Sequence, residues 1–139
     1  MKGDAAHLSP KMYDRILIAI DGSDEATRAA RRGLHLAQGF DATVDVLFVI
    51  EQKALRLTEA PDEKTTLRDQ GADALTKIEA LAATLGVSVS TVLTEGKPAA
   101  QISEHSTKRG ADLIVVGRQG STGLGRRLLG GVTEQVLHR

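Results

Sequence analysis

The chain has 139 residues, the length of one ordinary domain. Its 18 lysines and arginines balance 18 aspartates and glutamates, which argues against a protein held to nucleic acid or a membrane by bulk charge. It contains no cysteine, and its aromatic residues are one tyrosine and two phenylalanines, which excludes disulfides, thiol chemistry and a base-stacking surface. The four histidines lack metal-ligand spacing, and no apolar run reaches the roughly 20 residues that span a bilayer. These features predict a cytoplasmic α/β-type domain.

The start of the chain separates into an irregular segment and a strand. Residues 1–12 show no sustained hydrophobic period, so we expect a flexible leader followed by a single domain over residues 13–139. Residues 13–21 (YDRILIAID) are an almost continuous apolar run that ends at Asp21, with Gly22 behind it. Such a run is typical of a strand that is buried on both faces of a parallel sheet.

The pattern then changes to a helix and returns to a strand. Ser23 or Asp24 can cap a helix whose small and apolar residues recur at helical spacing until Gly39. A second buried strand is predicted over residues 43–51 (TVDVLFVIE). Residues 52–62 have mixed polarity and include a proline, so they are predicted to be a long connection.

The second half of the chain repeats the alternation. A helix is predicted over residues 63–85, and then a strand over 87–96 whose alternating polarity indicates a half-solvated position at a sheet edge. A further helix is predicted from Pro98 to Arg109, and a doubly buried strand over 111–117. The last residues of the chain read as the start of one more helix. Strands that alternate with helices predict a parallel sheet with helices on both faces.

The segment that follows the last strand is rich in glycine and basic. Six of the chain's 14 glycines lie within residues 117–131, and residues 118–139 hold four arginines but one glutamate. Glycines allow backbone N–H groups to converge on a phosphate, and the start of the last helix would add its positive end. The alternative is a mobile surface loop without a ligand. Lys97 is followed by Pro98, so the P-loop pattern is absent, and the turn after the first strand lacks the dinucleotide fingerprint.

The glycine spacing resembles that of the universal stress protein family. Gly117, Gly120 and Gly130 match its G-x2-G-x9-G nucleotide signature, and they follow the apolar strand DLIVVG. The segments IAIDGSDEA, FVIE and EGKPAAQI also look like that family. The resemblance covers most of the chain, over residues 13–138.

This resemblance implies a flavodoxin-like, Rossmann-like open parallel sheet of order 3-2-1-4-5 that binds ATP across strands 1 and 4. Mg²⁺ is expected to be held through the phosphates. Asp21 would contact the ribose or a water of the cation, and Val49 would hold the adenine through its backbone. Carried over by position, from the adenosine end to the outer phosphates, the nucleotide-binding residues are Ala19, Ile20, Asp21, Val49, Val116, Gly117, Gly120, Gly130, Gly131, Val132 and Thr133.

The sequence departs from the family pattern at two places. Gly131 stands where the family has a small hydroxyl residue, and the loss of one hydrogen bond to a phosphate would weaken binding by about one to two orders of magnitude. The chain ends at Arg139, before the fifth strand that often pairs two subunits in the family. The expected sheet order is therefore 3-2-1-4, and the mode of the expected homodimer is open.

Three functions remain open at this point. The first is an ATP-binding stress-response module that regulates an unidentified protein partner. The second is a nucleotide-free interaction module that acts by dimerisation. The third is an enzyme that slowly hydrolyses ATP or transfers adenylate on the same scaffold. Hydrolysis needs a water-positioning base and a group that stabilises charge, and no catalytic residue can be assigned, so binding without turnover is favoured. No nucleic acid, membrane or protein-bound metal is expected.

Overall fold

The fold is built on a parallel sheet, as seen in a computed structural model that describes residues 13–57 and 60–117. The described strands have the order β3-β2-β1-β4, and every neighbouring pair is parallel. The order predicted for these strands, 3-2-1-4, is confirmed. The strands are β1 (Arg15–Ile20), β2 (Thr43–Glu51), β3 (Val89–Gly96) and β4 (Leu113–Val116).

Helices cover both faces of this sheet. They are α1 (Asp24–Phe40), α2 (Gln52–Leu57), α3 (Pro61–Leu85) and α4 (Pro98–Arg109). The side chains of α1 and α3 pack with one set of strand residues, which includes Ile16, Ile18 and Val46. The alternate residues of the strands, such as Leu17 and Leu47, pack on the α4 face. Because both faces are covered, the central strands are apolar at almost every position.

One predicted connection is wrong. Residues 52–62 are not a continuous irregular link, because α2 occupies Gln52–Leu57 and α3 already begins at Pro61. Leu55 is the buried residue of α2, and it joins the core beside α3. A helix of this length gains its stability from such packing rather than from a sequence period, so the pattern alone did not reveal it.

Predicted boundaries also move by a few residues, and two of these shifts have a clear physical cause. The first helix continues past Gly39, and it ends where Asp41 takes the left-handed conformation (φ 56°). Aspartate tolerates that conformation because its short polar side chain bonds locally. The third strand begins at Val89, because the N–H of Val87 donates to the carbonyl of Ala82 and closes the end of α3. In contrast, the predicted edge position of this strand is confirmed.

Other expectations fall beyond the described residues. The leader over residues 1–12, the glycine-rich segment after Gly117 and the last helix all lie outside them. Within residues 13–57 and 60–117, no helix is both long enough and apolar enough to cross a membrane.

Candidate functional site

A cleft lies where three strands finish at the same edge of the sheet. The register pairs Ile20 with Phe48 and Ala19 with Val116, which brings the carboxyl ends of β1, β2 and β4 together. In open α/β sheets, ligands bind at this edge, where the strand order reverses. The cleft has a volume of about 50 Å³ within the described residues. Its lining consists of Ala19, Ile20, Asp21, Val49, Glu51, Pro98, Ile102, Val116 and Gly117.

The turn from β1 into α1 forms one wall of the cleft and is tightly bonded. Asp21 Oδ1 accepts hydrogen bonds from the backbone N–H of Ser23 (3.0 Å) and from its hydroxyl (2.6 Å). Ser23 Oγ in turn accepts from the N–H of Ala26 (3.1 Å) and so caps α1. Gly22 between them has φ 86°, a conformation that favours glycine. The turn therefore fixes the Asp21 carboxylate at the mouth of the cleft, and Asp21 also has the structural role of organising the helix start.

Gly117 also lines the cleft, and its backbone lies against α1. A Cβ placed on Gly117 would come within 2.6 Å of both the Ala26 Cα and the Ala29 Cβ, and within 2.8 Å of the Glu25 carbonyl oxygen. These distances are about 1 Å shorter than ordinary van der Waals contact. The end of β4 can approach α1 only because residue 117 has no side chain. Helix packing alone therefore requires a glycine here.

The lining of the cleft combines apolar side chains with carboxylates. Ala19, Val49 and Val116 are buried, and they belong with Ile102 to the core on the α4 face. Asp21 and Glu51 are exposed and lie at the ends of neighbouring strands. An apolar slot with a few polar groups at its rim is typical of sites for small ligands. Within residues 13–57 and 60–117, no group of three His, Asp or Glu side chains is placed to hold a metal ion.

The structure gathers six of the predicted nucleotide-binding residues in this one cleft. Those residues are Ala19, Ile20, Asp21, Val49, Val116 and Gly117. The predicted phosphate-binding residues Gly120, Gly130, Gly131, Val132 and Thr133 lie outside the described residues.

Three cleft residues were missed by the sequence reasoning. Glu51 ends β2, and Pro98 and Ile102 belong to the first turns of α4. The segments FVIE and EGKPAAQI contain all three, so the signal was present in the resemblance. The sequence pattern alone did not show that these residues are neighbours, because the end of β2 and the first turns of α4 lie far apart along the chain.

Comparison with known proteins decides the family. A sequence profile described as the Universal stress protein family matches residues 12–139. The chain belongs to the universal stress protein family. A universal stress protein of Methanocaldococcus jannaschii is 38% identical over 130 residues, covering 91% of this chain and 76% of the relative. The universal stress protein YxiE of Bacillus subtilis is 31% identical over 136 residues, covering 90% and 92%.

Solved structures of the same family share the fold. A family member from Burkholderia pseudomallei superposes with a TM-score of 0.69 at 27% identity, over 85% of this chain and 89% of that one. A universal stress protein solved in complex with cAMP has a TM-score of 0.63 at 25% identity, over 86% of both chains. Another from Arabidopsis thaliana, solved with AMP bound, has a TM-score of 0.60 at 18% identity, over 89% of both chains. The predicted family and the flavodoxin-like fold are thus confirmed.

Proposed function

We propose that this universal stress protein binds ATP at the carboxyl edge of its sheet and acts as a nucleotide-dependent regulatory module. The observation that carries the proposal is the convergence of three strand ends on a single cleft, which brings together six residues that the family resemblance assigns to the adenine, the ribose and the first phosphates. The relative crystallised with cAMP, at 25% identity, supports an adenine nucleotide as the ligand class.

The lining of the cleft offers contacts of the kind that the nucleoside part of this ligand needs. Ala19, Val49 and Val116 offer an apolar surface to the adenine, and the backbone of β2 at Val49 offers hydrogen bonds to its edge. Asp21 is held at the mouth by its bonds with Ser23, where a carboxylate can accept hydrogen bonds from the ribose hydroxyls. The ring would therefore lie between β1, β2 and α4, with the sugar near the β1 turn.

Apart from Val116 and Gly117, the residues assigned to the phosphates belong to the segment that begins after Gly117. Gly120, Gly130, Gly131, Val132 and Thr133 would bind them with backbone N–H groups and one hydroxyl. Mg²⁺ would be held through the phosphates, as the family resemblance implies.

Binding without efficient turnover is the mode of action we assign to the site. The acids of the described cleft, Asp21 and Glu51, line the part that we assign to the nucleoside. ATP hydrolysis requires a group that positions water at the γ-phosphate. We therefore expect slow hydrolysis at most. Nucleotide occupancy would set the conformation presented to a second subunit or to a protein partner in the cytoplasm.

Calorimetric titration of nucleotide-stripped protein with ATP and Mg²⁺ tests this proposal. We expect micromolar or tighter binding, and we expect the double variant Gly120→Val/Gly130→Val to abolish it because Cβ groups would crowd the phosphates. Lys77→Gln, an exposed change on α3, is the control that should bind normally. No binding at millimolar ATP by folded protein would favour the nucleotide-free interaction module instead, with Gly131 as its cause. Multi-turnover release of ADP or AMP would favour the enzyme.

A further inference from the structure

The strand β3 lies at one edge of the sheet, and its outer side is open within the described residues. Among residues 13–57 and 60–117, β3 pairs with β2 alone, and none of its eight residues is buried. This length exceeds that of the usual strand, about 5–6 residues. The opposite edge strand, β4, leads directly into residues outside the described part of the chain. An open edge can therefore be identified at β3.

The register shows which backbone groups of β3 face outward. The N–H of Val44 donates to the carbonyl of Ser88 (3.1 Å), and Val44 lies opposite Val89. In a parallel ladder a residue bonds to the two neighbours of the residue opposite to it, so Ser88 and every second residue after it bond to β2. The intervening residues direct their N–H and carbonyl groups away from β2. Those residues are Val89, Thr91, Leu93 and Glu95. No backbone hydrogen bond of the described chain reaches these outward groups.

The sequence of β3 lacks the features that protect natural sheet edges. Such edges are usually interrupted by proline or a bulge, or they carry charged side chains. Residues 87–94 (VSVSTVLT) contain neither a charge nor a proline, and the register with β2 runs without a bulge from Val89 to Gly96. Leu93, near the middle of β3, is 38% exposed, although its side chain lies against Gly71 of α3. The edge is therefore open to hydrogen bonding and partly apolar.

Charged groups beside β3 are neutralised within the chain. On the α3 face, Glu95 Oε2 accepts a hydrogen bond from Arg68 Nε (2.9 Å). On the α4 face, a cavity between β2, β3 and α4 contains the buried Asp45 carboxylate, which is paired with Arg15 and Arg109 (both 3.3 Å). These pairs reduce the electrostatic repulsion that a second copy of the same edge would meet.

We propose that two copies of this chain pair through their β3 edges, antiparallel and related by a two-fold axis. Such an axis brings the edge onto itself in the reverse direction, so outward N–H groups meet outward carbonyl groups. Both copies supply the same uncharged segment, so no unpaired charge is buried between them.

One register gives every outward residue of β3 a hydrogen-bonded partner, and it has Val92 on the axis. Thr91 then lies opposite the partner's Leu93. Val89 lies opposite the partner's Glu95, which places the two Glu95 carboxylates at opposite ends of the joined ladder. The residues of β3 do not line the cleft at the strand ends, so this pairing does not depend on nucleotide binding.

Sedimentation velocity of the nucleotide-stripped protein over a wide range of concentration tests the pairing, and we expect a dimer at the upper end. Leu93→Lys should weaken the dimer about tenfold or more, because two lysines at diagonal positions would repel each other across the axis. Leu57→Lys is the matched control: Leu57 is 75% exposed on α2, outside β3, and its replacement should leave the dimer unaltered.

A second variant covers the case in which Leu93→Lys does not fold. Thr91→Pro removes an outward N–H but no hydrogen bond of the ladder with β2, so it should also weaken the dimer. Urea unfolding identifies the folded variants. A monomer at every concentration, or equal effects of Leu57→Lys and of the folded β3 variant, would overturn the proposal.

Cysteine cross-linking tests the position of the axis, because the chain has no cysteine of its own. Residues that face each other in a non-hydrogen-bonded antiparallel pair have Cα atoms about 4.5 Å apart, which a disulfide can bridge. Val92→Cys should therefore give a disulfide-linked dimer on mild oxidation. Ser90→Cys is the control on the same face of β3 and should stay unlinked, because the two copies of residue 90 would lie roughly 14 Å apart. If Ser90→Cys links as fast as Val92→Cys, or if neither links, the proposed pairing is wrong.

Discussion

Replacement of Gly117 by alanine should destabilise the fold even in the absence of any nucleotide. The added Cβ would meet the Ala26 Cα and the Ala29 Cβ at 2.6 Å and the Glu25 carbonyl oxygen at 2.8 Å. These are backbone and Cβ atoms of α1, whose positions do not depend on side-chain rotamers, so no rotamer change can relieve the overlap. The end of β4 or the start of α1 must move by about 1 Å, and overpacking of this kind costs about 1–3 kcal/mol.

Other contributions of this substitution are small. Gly117 is not among the described glycines with positive φ, so alanine can adopt its backbone conformation. Alanine also reduces the conformational entropy of the unfolded chain, which stabilises the folded state by about 0.4–1 kcal/mol. The expected net loss in the free energy of unfolding is therefore about 1–2 kcal/mol.

Urea unfolding of Gly117→Ala and of Gly39→Ala, both free of nucleotide, measures this effect against a matched control. Gly39 lies near the end of α1, and its added Cβ would meet nothing within 4 Å, so that variant should gain up to about 1 kcal/mol from helix propensity. If Gly117→Ala proves as stable as the parent protein, the close approach of β4 to α1 is wrong.

Three further changes probe the turn, the buried charge and the cleft. Ser23→Ala should lower the free energy of unfolding by about 1 kcal/mol in urea titrations, because the α1 cap is lost; an unchanged midpoint would contradict the cap. Asp45→Asn should cost about 1–3 kcal/mol by the same assay, because two arginines lose their carboxylate partner, and a neutral result would show that the pairs contribute nothing. Glu51→Gln should tighten calorimetric binding of both ATP and AMP, because a negative charge beside the cleft is removed; Glu79→Gln on α3 is the control, and unchanged affinity for both nucleotides would refute the charge argument.

The sheet was predictable because its strands carry a strong and simple pattern. Burial on both faces requires continuous apolar runs, and the runs at Arg15–Ile20, Thr43–Glu51 and Leu113–Val116 match it. The alternating polarity of Val89–Gly96 marked it equally clearly as an edge strand. The α2 helix was not predictable, because its single buried residue, Leu55, packs on a core that only the folded chain creates.

The candidate site also has a part that the sequence predicted and a part that it did not. Residues at strand ends, such as Asp21 and Val116, could be placed because the carboxyl ends of parallel strands meet at one edge. The sequence did not show that packing against α1 requires a glycine at position 117, because a glycine at this spacing indicates a phosphate-binding loop. The cavity between β2, β3 and α4 could not be predicted either, because it joins Asp45 to residues of α4 that lie about sixty positions further along the chain.

The most direct test of nucleotide binding in the cleft is a ¹H–¹⁵N correlation spectrum of the labelled, nucleotide-stripped protein during titration with ATP and Mg²⁺. The account predicts saturable shifts for the backbone amides of Ala19, Val49, Val116 and Gly117, which line the cleft. It also predicts that amides around Lys77 on the opposite face of the sheet stay in place. An unchanged spectrum at millimolar ATP, or saturable shifts that avoid the strand ends, would contradict it.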